Sequence, residues 1–334
     1  MRIVVDAMGG DYAPKNVILG TIDALKESTP RFEVVLVGDK DAIEKEIASA
    51  GGASGLPIHI HHTSQVITME DSPATAVKAK PDSSIVVGLS LCKQGQGDAF
   101  LSAGNTGAQM AASTFILGRL PGVLRPTISA FFPHPNGISL ILDVGANVDC
   151  KPEVLVQFAQ MGSIFVSQME NISAPKVGLL SVGEEETKGN EVTKETHQLL
   201  KAAKNLNFIG NIEGRDIFKG TADVMVCDGF TGNVILKMAE SISHILGPRF
   251  KAEMKAMNLG EKEMMMVGGL LKKVMSPFDY EEVGGVPLLG LNGVSIIGHG
   301  GSTPKAIKNM IFEAEKIVNL KINDRIQTAL NTAQ

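Results

Sequence analysis

The sequence predicts an α/β protein built on a mostly parallel sheet. Two observations predict it: short apolar runs alternate with longer segments of helical period, and several of those runs end in a glycine-rich polar turn that opens a helix. A short apolar run is the form of a strand buried on both faces, and a 3.6-residue period is the form of a helix that covers one of them.

In chain order, strands are expected at Ile3-Val5, Val34-Val37, Ile58-Ile60, Ala99-Ser102, Ile128-Phe132, Leu140-Asp143, Val177-Leu180, Val224-Cys227 and Val294-Gly298, each a brief β-rich apolar run. Helices are expected between them at Asn16-Lys26, Ala42-Ala50, Ser84-Lys93, Gly107-Leu117, Glu153-Glu170, Glu191-Lys201 and Val234-Leu246, with a long last helix at Lys305-Ala329. No linker, low-complexity tract or repeat divides the chain. Residues 1–334 are therefore expected to form one α/β catalytic unit, at most two intertwined lobes.

Composition narrows the class. With 334 residues, 44% hydrophobic and 20% charged, the chain can bury a sizeable core. A formal net charge of -5 argues against a general nucleic-acid binder, which needs a basic footprint. Cys92, Cys150 and Cys227 are too far apart in sequence to read as a metal or redox pair and fit a reducing compartment. Ile3-Val4-Val5 follows the first residues with no apolar leader, and no stretch reaches the roughly 18 apolar residues of a membrane span, so a cytoplasmic protein is expected.

Six turns carry the candidate chemistry: DAMGGD (Asp6 to Asp11), SAGNTGA (Ser102 to Ala108), DVGANVD (Asp143 to Asp149), GEEETKGNE (Gly183 to Glu191), CDGFTGN (Cys227 to Asn233) and GHGGS (Gly298 to Ser302). Turns at strand ends that open helices are where α/β proteins place ligands, and all six are expected along one edge of the sheet. Glycine lets the backbone approach an anion, and the N–H groups and dipole of a helix start favour phosphate or carboxylate without a metal. Other anion and hydrolase signatures fail. No Gly-Lys dipeptide exists for a Walker-type loop, and no turn carries the three spaced glycines of a dinucleotide site. The strained serine turn of hydrolases and the paired-histidine zinc helix are missing too, and His59, His61 and His62 read as solvent-facing residues of a strand. No metal and no cofactor are expected.

Taken together, DAMGGD, SAGNTGA, DVGANVDC, VQFAQMGS (Val156 to Ser163), GEEETKGNE, VCDGFTGNV and HGGS resemble the phosphate acyltransferase family of bacterial phospholipid synthesis, over essentially the whole chain. The resemblance implies a three-layer α/β/α fold related to phosphotransacetylases and isocitrate-dehydrogenase-like proteins, working as a homodimer. It implies a reaction of acyl-acyl carrier protein with inorganic phosphate that yields acyl-phosphate and free carrier protein. It also implies peripheral membrane association, since a membrane acyltransferase uses the product.

Within those turns, Gly9, Gly10, Asn105, Thr106, Gly107, Lys188, Gly300 and Ser302 are expected to hold phosphate, with Lys188 supplying charge. Asn105 and Thr106, or Asn233, are expected to donate to the oxyanion of the tetrahedral intermediate. His299 is expected to give acid-base help; the competing reading is a helix-start histidine bonded to backbone. Asp6, Asp143, Asn147 and Asp228 complete the candidate set, and ordinary Asx turns are the alternative for the last three. Lys78 and Lys80, after the Pro73 turn, read as a solvated helix face, with further anion contacts as the alternative.

The regular rhythm breaks at 250–280, where Met264, Met265, Met266, Leu270 and Leu271 lie among Lys262, Lys272 and Lys273. Gly268-Gly269 disfavours a continuous helix by roughly 1 kcal/mol per glycine, so two short helices joined by a turn are expected. This amphipathic hairpin is expected to touch a membrane surface or the acidic carrier protein, with a dimer-core hairpin as the alternative. A dehydrogenase and a non-catalytic acyl-binding module are the competing functional classes.

Overall fold

The computed structural model describes residues 1–28, 31–257, 259–275 and 280–332. Eleven strands form one continuous sheet: β1 (Arg2–Asp6), β2 (Glu33–Gly38), β3 (Ile58–His62), β4 (Ala99–Ser102), β5 (Thr127–His134), β6 (Gly137–Leu142), β7 (Lys176–Leu180), β8 (Asn207–Ile212), β9 (Val224–Val226), β10 (Val286–Leu289) and β11 (Val294–Ile297). Their order is β3-β2-β1-β4-β11-β10-β5-β6-β9-β7-β8. The helices are α1 (Lys15–Ser28), α2 (Lys40–Ser49), α3 (Pro73–Ala79), α4 (Ser84–Lys93), α5 (Thr106–Ile116), α6 (Pro152–Met169), α7 (Glu191–Ala202), α8 (Gly229–Ala256), α9 (Glu261–Met275), α10 (Tyr280–Val283), α11 (Pro304–Asn319) and α12 (Ile322–Thr332).

Alternation along the strands creates three layers, because successive side chains of a strand point to opposite faces. Ile3 and Val5 of β1, Leu101 of β4 and Leu140 of β6 pack with Phe158 and Phe165 of α6 and Ile307 of α11 on one face. Val4 and Phe100 turn to the other face against Ile85 and Leu89 of α4. Ile141 and Met225 turn the same way and meet Ile235, Leu236 and Ala239 of α8. Each such fully buried side chain contributes about 1.5–3 kcal/mol of transfer free energy, which is what holds both helical layers on the sheet.

The polarity of the sheet corrects the expectation that all six turns share one edge. β2, β3, β4 and β11 run parallel with β1, whereas the antiparallel steps β11–β10, β10–β5 and β5–β6 leave β6, β9, β7 and β8 running the opposite way. The turns after β1, β4 and β11 therefore leave one edge, and those after β6, β7 and β9 leave the other.

Three further expectations change. α8 runs unbroken to Ala256 through Pro248, and α9 runs through Gly268-Gly269, so the expected hairpin bends between Ala256 and Glu261 instead. Two glycines cost a helix about 2 kcal/mol, and the strong helix formers Glu, Lys, Met and Leu on either side offset that. The end of the expected hairpin, 276–279, lies outside the described residues, as does the Lys272 side chain. The last helix is two, α11 and α12, because Lys321 adopts a positive φ of 51°. β8, β10 and α3 have no counterpart in the expected element set.

Candidate active site

The turns after β1, β4 and β11 are laced together. Asp6, at the end of β1, is buried; its Oδ2 accepts from the Ser102 hydroxyl at 2.6 Å and its Oδ1 from the Met8 N–H at 3.0 Å. Ser102 Oγ accepts in turn from the Gly104 N–H at 3.0 Å. Burial pushes the Asp6 carboxyl above the ordinary range, and the hydrogen bonds from Ser102, Ser84, Met8 and Gly9 work against that rise. A Cβ on Gly9 would lie 2.5 Å from Asp6 Oδ2 and 2.8 Å from the Gly104 nitrogen, so only glycine fits between the two turns. The third turn joins through the Asp11 N–H, which donates to the Gly300 carbonyl at 2.8 Å, and the Gly298 N–H, which donates to the Ser102 carbonyl at 2.8 Å. Gly10 sits at φ 112°, a conformation open to glycine.

Asn105 caps α5: its Oδ1 accepts from the Ala108 N–H at 2.9 Å. Its Nδ2 donates to the Thr68 and Asp71 carbonyls at 3.0 and 3.1 Å. The side chain, expected to face phosphate or an oxyanion, thus fastens the 68–71 segment to the helix start. Donors remain nearby, because the first N–H groups of a helix have no intrahelical acceptor. Those of Thr106 and Gly107 stand at this end, with the exposed Thr106 side chain.

His299 is exposed, and its Nδ1 accepts from the Gly301 N–H at 3.1 Å. A neutral ring bonded this way carries its proton on Nε2. The Ser302 hydroxyl donates to the His299 carbonyl at 2.6 Å and is buried, so this side chain stitches its own turn. Exposed Met69 and Tyr12 flank the three turns; the Met69 methyl would lie 3.6 Å from a Cβ on Gly300.

On the second edge the β6 and β9 turns interlock. Asp143 is buried and accepts from the Ile128, Ala146 and Asn147 N–H groups at 3.0, 3.2 and 2.5 Å and from Asn147 Nδ2 at 3.0 Å. Burial raises its carboxyl, with Asn147 the first of the bonds opposing the rise. Asp228 caps α8, accepting from the Thr231 N–H at 2.8 Å, and Asn233 Nδ2 donates to the Val144 carbonyl at 3.3 Å. A Cβ on Gly232 would collide with the Asp143 carbonyl at 1.9 Å. All four candidate side chains here hold turns together. Lys188 belongs to this edge, after β7, and is exposed with no ion pair among the described residues. The topology does not bring it to the edge of Gly9, Thr106 and His299.

Sequence reasoning missed the 64–72 segment. Lys80, read as a solvated lysine, donates to Asp71 Oδ2 at 2.5 Å and to the Val66 carbonyl at 2.9 Å, and Asp71 also accepts from the Thr68 N–H at 2.7 Å. The Lys80 hydrogen bond holds the Asp71 carboxyl below its usual range. No local pattern marks this contact, because Asn105, the residue it serves, is distant in sequence. His59, His61 and His62 are exposed on β3, and no metal-ligating cluster occurs among the described residues.

The three-layer α/β/α fold, with glycine turns at its strand ends, is one that phosphotransacetylases share. The structure matches a phosphotransacetylase from Streptococcus pyogenes with a TM-score of 0.62 at 17% identity, covering 95% of this chain and 94% of that one. EutD phosphotransacetylase from Staphylococcus aureus matches with a TM-score of 0.59 at 15% identity, covering 95% and 94%. The chain belongs to the fatty acid synthesis protein family, whose model matches residues 1–325. Proteins named phosphate acyltransferase are close in sequence: that of Chlorobaculum parvum is 52% identical over 99% of both chains, and that of Salinibacter ruber is 45% identical over 99% of this chain and 98% of its own.

Proposed function

We propose that the chain transfers a fatty acyl group from the thioester of acyl carrier protein to inorganic phosphate, an early step of phospholipid synthesis. The observation that carries this reading is the lacing of the β1, β4 and β11 turns, which gathers backbone donors, the start of α5 and the exposed His299 ring. Phosphate is already anionic at neutral pH and needs positioning more than a base, and positioning supplies roughly 7–11 kcal/mol of barrier reduction.

Gly9, Gly10, Gly107 and Gly300 form the walls of the phosphate cradle, and Thr106 and the α5 dipole supply its donors. A phosphate oxygen attacks the carbonyl carbon, the C–O bond forms, and the C–S bond breaks with its electron pair on sulfur. Backbone N–H groups at Thr106 and Gly107 receive the oxyanion; one such donor is worth roughly 3 kcal/mol. Hydrogen phosphate gives up its proton as it attacks, and the departing thiolate, whose conjugate acid has a pKa of about 8.5, takes one from His299 Nε2, so the ring relays a proton and is neutral before and after the step. Lys188, on the other edge, and Ser302, whose hydroxyl is committed to the His299 carbonyl, have no part in this assignment.

In this reading the chain works as a homodimer on the cytoplasmic membrane surface. Among the described residues no helix is long and apolar enough to cross a membrane. Phe230, Val234, Met238, Ile242 and Ile245 form an exposed apolar stripe along α8 at helical spacing, suited to a second copy of the chain. Met265, Met266, Leu270 and Val274 are exposed on α9 beside Lys262 and Lys273, suited to anionic lipid, where each cation contributes roughly 1 kcal/mol. Such a position delivers acyl-phosphate to a membrane acyltransferase.

The direct test is incubation of purified protein with acyl carrier protein thioester, with and without phosphate. Thiol release only with phosphate, unchanged by EDTA and without added nucleotide, is expected. Release without phosphate, or none at all, overturns the reading.

A further inference from the structure

Several basic side chains of this acidic protein are paired: Arg2 with Glu33, Arg31 with Glu315, Arg215 with Glu184 and Glu213. Arg119, Arg125 and Lys151 are exposed and join no carboxylate in an ion pair among the described residues. They line one cavity of about 620 Å³ together with Thr114, Leu124 and Glu153. Leu124 is exposed there and gives the cationic rim an apolar centre. Three cations without a carboxylate partner gathered around one cavity, in a chain of net charge -5, form a local basic surface suited to an acidic partner.

One hydrogen bond fixes the wall of this surface, and one helix ties it to the acyl-transfer chemistry. Asn147 Nδ2 donates to the carbonyl of Pro126, also in the cavity wall, at 2.8 Å, which fixes the pocket to the DVGANVD turn. Thr114, in the wall, lies on the same helix as Thr106 at the phosphate cradle. Eight residues at about 1.5 Å rise separate them, so the pocket stands about 12 Å along α5 from the helix start. A flexible pantetheine arm spans such a distance.

We infer that Arg119, Arg125, Lys151 and Leu124 form the docking surface for the acidic carrier protein, which extends its acyl thioester along α5 to the phosphate cradle. The inference rests on the carrier-bound thioester proposed above as substrate. Negative carrier side chains meet the three cations, and an apolar carrier side chain meets Leu124. Charges of this kind act mainly on encounter rate and salt dependence.

The test uses Arg125→Glu with Lys151→Glu, leaving Arg119, whose guanidinium donates to the Leu124 carbonyl. Binding of fluorescently labelled carrier protein is read by anisotropy, independently of turnover. Binding is expected to weaken about tenfold or more and lose most of its salt dependence. KM for the carrier thioester should rise in parallel, with KM for phosphate and turnover of a small pantetheine thioester within about twofold of the parent. Glu153→Gln should shift carrier affinity the other way. Unchanged carrier binding in the double variant overturns the docking assignment, as does loss of turnover with the small thioester or loss of vesicle binding in place of carrier binding. Failure of the parent to cleave any thioester in the presence of phosphate overturns the proposed reaction instead, and leaves the anisotropy result to judge the surface.

Discussion

Asp6 Oδ2 accepts the Ser102 hydroxyl proton at 2.6 Å, joining the ends of β1 and β4 across 96 residues of sequence. Both groups are buried, so the pair works as an internal brace for the glycine turns above it. Removing one partner leaves a buried acceptor unsatisfied, at a cost of about 1–3 kcal/mol. Ser102→Ala is expected to lower the melting temperature and raise KM for phosphate, because the Gly104 N–H loses its acceptor too. Thermal melts with phosphate titrations check both.

Asn105→Ala removes the α5 cap and both anchors of the 68–71 segment. A lost N-cap costs about 0.5–2 kcal/mol, and the freed carbonyls add to it. A fall in melting temperature of about 3 °C is expected together with at least about tenfold lower turnover. Turnover loss with an unchanged melt would show instead that the amide contacts substrate.

His299→Gln tests the proton donor. General acid assistance is worth about 10²–10⁴-fold, and it matters less as the leaving group becomes more acidic. The variant should lose about a hundredfold in kcat with an alkyl thioester and far less with an aryl thioester. Equal losses with both would place His299 in turn structure.

Glu313, on α11, lines a cavity of about 340 Å³, and its Oε1 has no hydrogen-bond partner among the described residues. Burial pushes its carboxyl up to about 7, against the attraction of Lys316. The raised value means that the fold favours the protonated acid: that stabilisation is complete below the ordinary pKa of 4.5 and is lost as pH rises through about 7. Glu313→Gln should therefore melt close to the parent at about pH 5 and above it at about pH 8.5. Melts of both proteins across that range decide it.

On α9, Met266→Glu with Leu270→Glu should release the protein from anionic vesicles. Each apolar side chain contributes about 1.5–3 kcal/mol when buried in an apolar phase, enough for two to abolish a weak surface-bound state. Both side chains are exposed in the monomer, so its melting temperature should not change. Co-sedimentation with vesicles and analytical ultracentrifugation separate this from a dimer contact: continued vesicle binding, or dissociation into monomers, rules out the membrane assignment.

The expected strands coincide with nine of the eleven because each is a short apolar run closed by a turn, a local signal that burial on both faces demands. β10 escaped notice because Val286–Leu289 contains Pro287 between glycines and reads as loop, although its register against β5 and β11 makes it the hinge of the sheet. β8 mixes Asn207, Gly210 and Asn211 into its run and lies at the sheet edge, where exposure relaxes the apolar pattern.

By itself the sequence determined the α/β class, the six glycine turns and the family, because strand burial and glycine geometry are requirements written residue by residue. Tertiary structure alone decided which turns share an edge, since the direction of β5, β6 and β10 depends on pairings between residues as distant as Leu289 and Thr127. It likewise turned Asn105 from an expected substrate contact into the anchor of Thr68 and Asp71, and assembled Arg119, Arg125 and Lys151 around one cavity. The physical reason is the same in each case. A side chain's partners are set by which backbone groups and charges the packed sheet brings within hydrogen-bond or Coulomb range, and that distance is not a local property of the chain.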